Sequence, residues 1–310
     1  MASGTADIRV MTEVQQRGLG PLVGDVFRRF RDAYGMSHAR ALGYQGTFAL
    51  ISGFIGLVGL ASVLGDASIR GTIVEISKTI APGPSSQLLQ EAASQSTGGG
   101  TAAVVGLGAA LISGALAMAQ IERSANRLSG RTQDRAGLRR FVVAVLLALS
   151  AGVLAAVGLL IIAGGHAIAT GFGWKGAVAD AWNVLRWIVG IASAAVGIYL
   201  LFQWAPERPL GRRGAVVAGA VVTLVLWVLF TVALAVWFSA SSSAQTYGPL
   251  VSVVALLLWA GATSLALHLG MALTAELTAR SPAKAKAAGD VDAGGDSGYV
   301  RVPSVERDRS

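Results

Sequence analysis

Six stretches of this 310-residue chain, 47–65, 102–121, 141–164, 187–202, 215–240 and 249–273, have no Pro, Asp, Glu, Lys or Arg in their interiors. A helix rising 1.5 Å per residue needs about 20 apolar residues to cross a hydrocarbon core of about 30 Å. The pattern predicts an all-α polytopic membrane protein, a bundle of six transmembrane helices. Composition agrees: 53% of the residues are hydrophobic and 14% charged, where a soluble domain carries about 25% charged residues. There is no Cys, which excludes disulfides, thiolate zinc sites and a cysteine nucleophile.

Lys and Arg set the direction of such a bundle, because they concentrate in cytoplasmic segments. Of the 25 Lys and Arg, only Arg70, Lys78, Lys175 and Arg186 fall on one side of the six runs. The rest lie in the N-terminal segment, in the loops after runs two and four, and in the C-terminal tail. Both termini are therefore expected in the cytoplasm and the protein in the inner membrane. The loop after run two carries Arg123, Arg127, Arg131, Arg135, Arg139 and Arg140.

No signal peptide is read in the first forty residues. From about 21 to 35, Leu22, Val23, Val26, Phe27, Phe30, Ala33 and Tyr34 occupy one helical arc, and Asp25, Arg28, Arg29, Arg31 and Asp32 the other. That is the pattern of an amphipathic helix in the inner-leaflet interface, bound partly to anionic lipid. The one long external segment, 66–100, breaks at Pro82-Gly83-Pro84 into two short helical patterns and is read as a cap. The sequence thus divides into a disordered cytoplasmic N-terminus (1–20), a membrane domain (21–280) and a disordered cytoplasmic tail (281–310), the tail too polar to order itself.

Lipid tails are as apolar as Leu, so helices in lipid associate through close packing that small residues permit. Gly106, Ala110 and Gly114 form a row at four-residue steps on span two. Ser52 and Gly56 do so on span one, as do Gly190 with Ala194 and Ser193 with Gly197 on span four. The row on span two serves either an intrachain contact or a homo-oligomer. Trp182, Trp187 and Trp204 stand at the ends of span four as interface anchors.

The three histidines, His38, His166 and His268, show no metal-ligand spacing, so neither a metal nor a cofactor is expected. Ser52-Gly53 and Ser113-Gly114 lack the preceding glycine of an intramembrane protease motif, and Gly98-Gly99-Gly100-Thr101 lacks the lysine of a phosphate loop. Polar groups near the membrane are costly, which marks Tyr44, Arg186, Tyr247, Gly248 and His268 as candidate pathway residues. Glu122 and Glu276 close spans two and six and are expected to pair with Arg123 and Arg280.

One set of features points to a family: Gly43-Tyr44 at the head of span one, Asn126 after span two, Pro206 and Arg208 after span four, and Trp227 in span five. The most specific stretch is Tyr247-Gly248-Pro249-Leu250, leading into Leu256-Leu257-Leu258-Trp259 and ending Thr274-Ala275-Glu276-Leu277. Over residues 20 to 278 the chain resembles the YihY/BrkB family of bacterial inner-membrane proteins, once labelled ribonuclease BN. It departs from the family pattern at Ala49, Ser52 and Ala272, the last standing where members carry a glutamate in span six.

The expectation is a non-enzymatic membrane protein that transports or exports a lipid or envelope amphiphile. The alternatives are a scaffold that recruits partners through its basic cytoplasmic loops and, third, a membrane-associated ribonuclease. No specific nucleic-acid partner is expected.

Overall fold

A computed structural model describes residues 19–64, 99–131, 137–152, 172–240 and 249–279, with single positions at 84, 87, 91, 154, 157, 158, 161, 165 and 169. Both chain ends, nearly all of 66–98, Arg135, His166, Tyr247, Gly248 and Arg280 lie outside the described residues, and so do the expectations that fell on them.

Among the described residues the regular structure is wholly helical: α1 (Leu19–Asp32), α2 (Gly35–Leu64), α3 (Gly99–Leu128), α4 (Gly137–Leu147), α5 (Ala177–Trp204), α6 (Arg213–Ala240) and α7 (Pro249–Ala279). One π-helical turn, Ala148–Gly152, continues α4. Five of the helices, α2, α3, α5, α6 and α7, are long and apolar enough to cross a membrane. The third apolar run, where a sixth crossing was expected, is described only through α4, its π turn and scattered positions beyond.

The helices overrun their apolar stretches. α2 begins at Gly35 and α3 continues to Leu128, each a helix of 30 residues, or about 45 Å at 1.5 Å per residue against about 30 Å of hydrocarbon. The excess gathers at one end of the molecule, where α2 starts and α3 and α7 finish. We call it the basic end.

Backbone contact joins the helices in pairs. α2 and α3 run antiparallel, with Gly56 and Gly106 so close that a Cβ at either would enter the other's backbone. The same is true of Gly219 on α6 and Gly270 on α7. α7 also crosses α2, where a Cβ on Gly43 would lie 2.8 Å from the Gly261 Cα. α7 is therefore the axis that joins the two pairs: half of its most apolar stretch is buried, against 11% for α5 and for α6. α5 sits at the margin. Its Ser193 hydroxyl donates to the Leu154 carbonyl at 2.7 Å, and the space over Gly158 is filled by Ser193 and the Gly190 carbonyl.

These contacts assign the small-residue rows. Gly106 and Ala110 face α2, and Gly114 faces Ala148 of the π turn, so the row serves intrachain packing. On α5 the packed face is Gly190, Ser193 and Gly197, the last beside the Ala151 carbonyl.

α1 differs from the expected stripe. Leu22, Val26, Phe30 and Ala33 are buried in a core shared with Ile121, Leu128, Phe202, Leu210 and Met271, whereas Val23, Phe27 and Tyr34 are exposed. One edge of the apolar arc packs on the bundle and the other faces outward. Tyr34 leaves the arc because the helix has ended: it adopts a left-handed backbone, φ 54°, in the turn into α2.

Glycine contacts predict the outcome of two substitutions. Gly106→Val should cost about 1–3 kcal/mol by overpacking against α2, whereas Gly108→Ala, with nothing near its Cβ, should stay within about 0.5 kcal/mol. Unfolding of the detergent-solubilised protein separates them.

Candidate functional site

Two buried polar regions stand out, one at the basic end and one in the seam between α2 and α7. At the basic end the last turns of α3 bury Gln120, Glu122, Ser124 and Asn126. Helix ends leave carbonyls unsatisfied and carry partial negative charge, which arginine can meet. Arg29 on α1 does so twice: its Nε donates to Glu276 of α7 at 2.7 Å and its Nη1 to the Leu128 carbonyl at 3.0 Å. One side chain thus ties α1 to the ends of α3 and α7. Arg140 plays a similar part for α4, with its Nη2 on the Ala119 carbonyl at 3.0 Å and its Nε 3.9 Å from the Glu122 carboxylate.

A second fastening holds the segment between α5 and α6. The fully buried Asn126 accepts the Glu207 backbone N–H on its Oδ1 at 3.2 Å, and Arg131 donates to the Arg208 carbonyl at 3.0 Å. Arg123 donates to the Gln120 Oε1 at 2.7 Å, and the Gln120 amide donates to His38 Nδ1 at 2.6 Å, which links α3 to the start of α2.

These contacts add to the sequence expectations. Glu122 lies near Arg140 and Glu276 accepts from Arg29, while Arg280 lies outside the described residues. In the basic loop, Arg123, Arg127, Arg131 and Arg140 make intramolecular bonds. Arg139 is exposed.

The seam between α2 and α7 is polar in a different way. His268 is fully buried, and its Nδ1 lies 2.7 Å from the Ser264 carbonyl. In a neutral ring that bond places the proton on Nδ1 and leaves Nε2 an acceptor. Nε2 has no hydrogen-bond partner, and neither has the buried Oε1 of Gln45 on α2 or the buried hydroxyl of Thr263 on α7. Helical phase separates them: His268 lies on the face of α7 that meets α2, whereas Gln45 is in phase with His38 and Gly56 toward α3, and Thr263 with Trp259 and Gly270 toward α6. An unmatched polar atom away from water costs about 1–3 kcal/mol, which singles out His268 in the seam.

Of the pathway residues expected from sequence, His268 lies in this seam. Tyr44 does not: Gly43 and Thr47 take the inward phase of α2, which leaves Tyr44, 59% exposed, edge-on to Phe48 on the outward face. Its neighbour Gln45, in phase with His38, turns toward α3 instead. Arg186 lies near the opposite end of the bundle, packed on Gly165. Among the described residues, no three of His, Asp and Glu converge as metal ligands would.

Several residues on which the sequence resembles a family are among those that fasten the helices. Gly43 makes the contact between α2 and α7, Asn126 holds the segment containing the buried Pro206, and Glu276 holds Arg29. Trp259 donates to the Thr231 hydroxyl at 3.2 Å, and Thr274 to the Ala215 carbonyl at 3.3 Å. The family model described as Virulence factor BrkB matches residues 26–294. The chain belongs to the BrkB family. No curated protein and no solved structure matches it. Membership in BrkB and the five long apolar helices make it a multi-pass membrane protein.

The fastening at the basic end makes two predictions. Glu276→Gln should destabilise the solubilised protein by about 1–3 kcal/mol because it strands Arg29, and adding Arg29→Gln should return part of that loss. Asn126→Ala should cost about 1–2 kcal/mol by orphaning the Glu207 N–H. Equilibrium unfolding of the three variants beside the unaltered protein provides the check.

Proposed function

We propose that this BrkB protein is a non-enzymatic inner-membrane protein that moves a lipid or other envelope amphiphile, whose polar headgroup travels along the seam between α2 and α7. The observation that carries the reading is the unmatched Nε2 of His268, fully buried on α7 where that helix meets α2 glycine against glycine. A headgroup passing between the helices supplies the hydrogen bond that this atom lacks, while acyl chains stay in lipid. Bare backbone contact at Gly43 and Gly261 lets the seam part without extracting an interlocked side chain.

The buried glutamates support a structural reading of the carboxylates, since Glu122 and Glu276 are each engaged by an arginine. In this proposal the basic end faces the cytoplasm, with both termini there, and α1 lies along the inner leaflet with Val23 and Phe27 in the interface. Arg28 and Arg31, both exposed, stand beside that apolar edge. A second reading rests on the same surface: the exposed Arg28, Arg31, Arg40, Arg139, Arg208 and Arg213 gather at the basic end and would hold anionic lipid or an acidic partner in a scaffold.

Reconstitution into liposomes tests the first reading. Headgroup-labelled lipids, quenched from outside, should become accessible faster than in protein-free vesicles. Equal rates for several headgroup classes, with folded protein, would remove lipid movement by the protein alone and leave the scaffold. Orientation has its own check, made clean by the absence of cysteine. In intact cells an impermeant maleimide should label Lys175→Cys and spare Ser297→Cys.

A further inference from the structure

At the end of the bundle opposite the basic end, α5 opens with a cluster of aromatic rings around an arginine. Trp182 donates its Nε1–H to the Gly165 carbonyl at 2.7 Å. Four residues later on the same face, Arg186 lays its stem on the same glycine, so closely that a Cβ at 165 would collide with the Arg186 Cδ. Trp174 meets Trp182 edge-on with ring centroids 5.3 Å apart, and Phe172 stacks on Trp174 at 5.4 Å. The loop that carries these rings is set by the Trp174 N–H on the Ala169 carbonyl at 2.9 Å and by left-handed glycines at 173 and 176. Lys175, between them, is exposed.

The cation in this cluster is incomplete. Arg186 is partly buried, its Nε is wholly buried, and that Nε has no hydrogen-bond partner. Among the described residues no carboxylate, Asp180 included, makes an ion pair with it. A guanidinium half withdrawn from water without a carboxylate is costly unless an anion from outside the chain completes it. Two features of the setting identify that anion. Tryptophan rings at a helix end settle at the level of lipid headgroups, and a planar guanidinium presents paired N–H donors that match two oxygens of one phosphate.

We propose that Arg186, seated on Gly165 and walled by Trp182, Trp174 and Phe172, binds the phosphodiester of a phospholipid at the membrane face opposite the basic end. Gly165 makes room for the arginine stem, the aromatic rings cover the glycerol and upper acyl region, and Lys175 adds a second positive charge at the rim. The site names the headgroup chemistry that the proposed transport reading leaves open. It also stands apart from that reading, because binding can be measured without translocation.

The test uses the full chain in lipid nanodiscs containing phosphatidylglycerol with a photoreactive diazirine on its headgroup, followed by mapping of the crosslinked peptides. The expected result is labelling of the segment from Phe172 to Arg186. Diacylglycerol with the diazirine at the equivalent position, which lacks the phosphate, should label it about tenfold less, and inorganic phosphate should not compete. Arg186→Gln should lower the phosphatidylglycerol labelling about tenfold, the loss expected for one charge-assisted hydrogen-bonded contact. Gly165→Ala, which displaces the stem and keeps the charge, should lower it as well. Labelling at the exposed arginines of the basic end should stay unchanged in both variants and reports that they are folded. Equal labelling by the diacylglycerol probe on the unaltered protein would overturn the proposal, whatever becomes of the variants. So would unchanged labelling in a folded Arg186→Gln protein, or competition by inorganic phosphate, which would mark a soluble-anion site. A protein that binds in this way and moves no lipid in liposomes would keep this site and lose the transport reading.

Discussion

Hydrocarbon offers a polar group no hydrogen bond and an apolar helix no reason to leave it, and both facts shape this molecule. The helices cannot be driven together by burial of apolar surface, since lipid is as good a solvent for Leu and Val as a neighbouring helix is. Cohesion comes instead from two sources. Backbones meet where glycine permits it, at Gly56 with Gly106, Gly219 with Gly270 and Gly43 with Gly261. Where the helices emerge from the hydrocarbon, arginine, asparagine and glutamine close their ends. α7 takes part in both, touching α2 and α6 along the membrane and holding Arg29 at its last turn. Removing its contacts would leave the α2 and α3 pair with little to join it to α6.

This division explains an uneven distribution of order. Burial on α6 is confined to Ala215, Val216, Gly219, Ala220 and Thr223, the part nearest the basic end, and the rest of the helix is half-buried or exposed. α5 buries only Gly190, Gly197 and Phe202. α6 is thus held most closely near the basic end, while α2 and α3 meet as far along as Gly59 and Ala103. In the proposed transport the fastened end would keep the register while the seam between α2 and α7 parts.

How much of this was legible in the sequence depends on the physical signal behind each feature. Length, apolarity and absence of charge locate α2, α3, α5, α6 and α7, because the bilayer imposes that signal on single segments. The helix extensions were harder to see, since α2 from Gly35 and α3 to Leu128 run through polar residues that only tertiary contact keeps helical. The long-range partners of the arginines were hidden for the same reason. Arg29 and Glu276 are 247 residues apart, and a run of like charges looks solvent-facing until the fold brings an acid to it. Helical phase decided the seam. Tyr44 drew attention as an aromatic at the head of a span, yet Gly43 and Thr47 face inward. His268 was legible as a polar residue in a span. Its bond to Ser264 and its bare Nε2 were not.

The central claim is that the seam keeps the unmatched Nε2 of His268 for use rather than for stability, and the most direct test sets the two against each other. A protein carrying His268→Leu replaces the ring with an apolar side chain of similar size. Unfolding and lipid translocation would be measured on the same preparation. The account predicts equal or greater resistance to unfolding, because a buried unsatisfied group has been removed, together with loss of translocation. Greater stability with translocation intact would contradict it, and so would a collapse of stability, which would show the ring to be part of the packing.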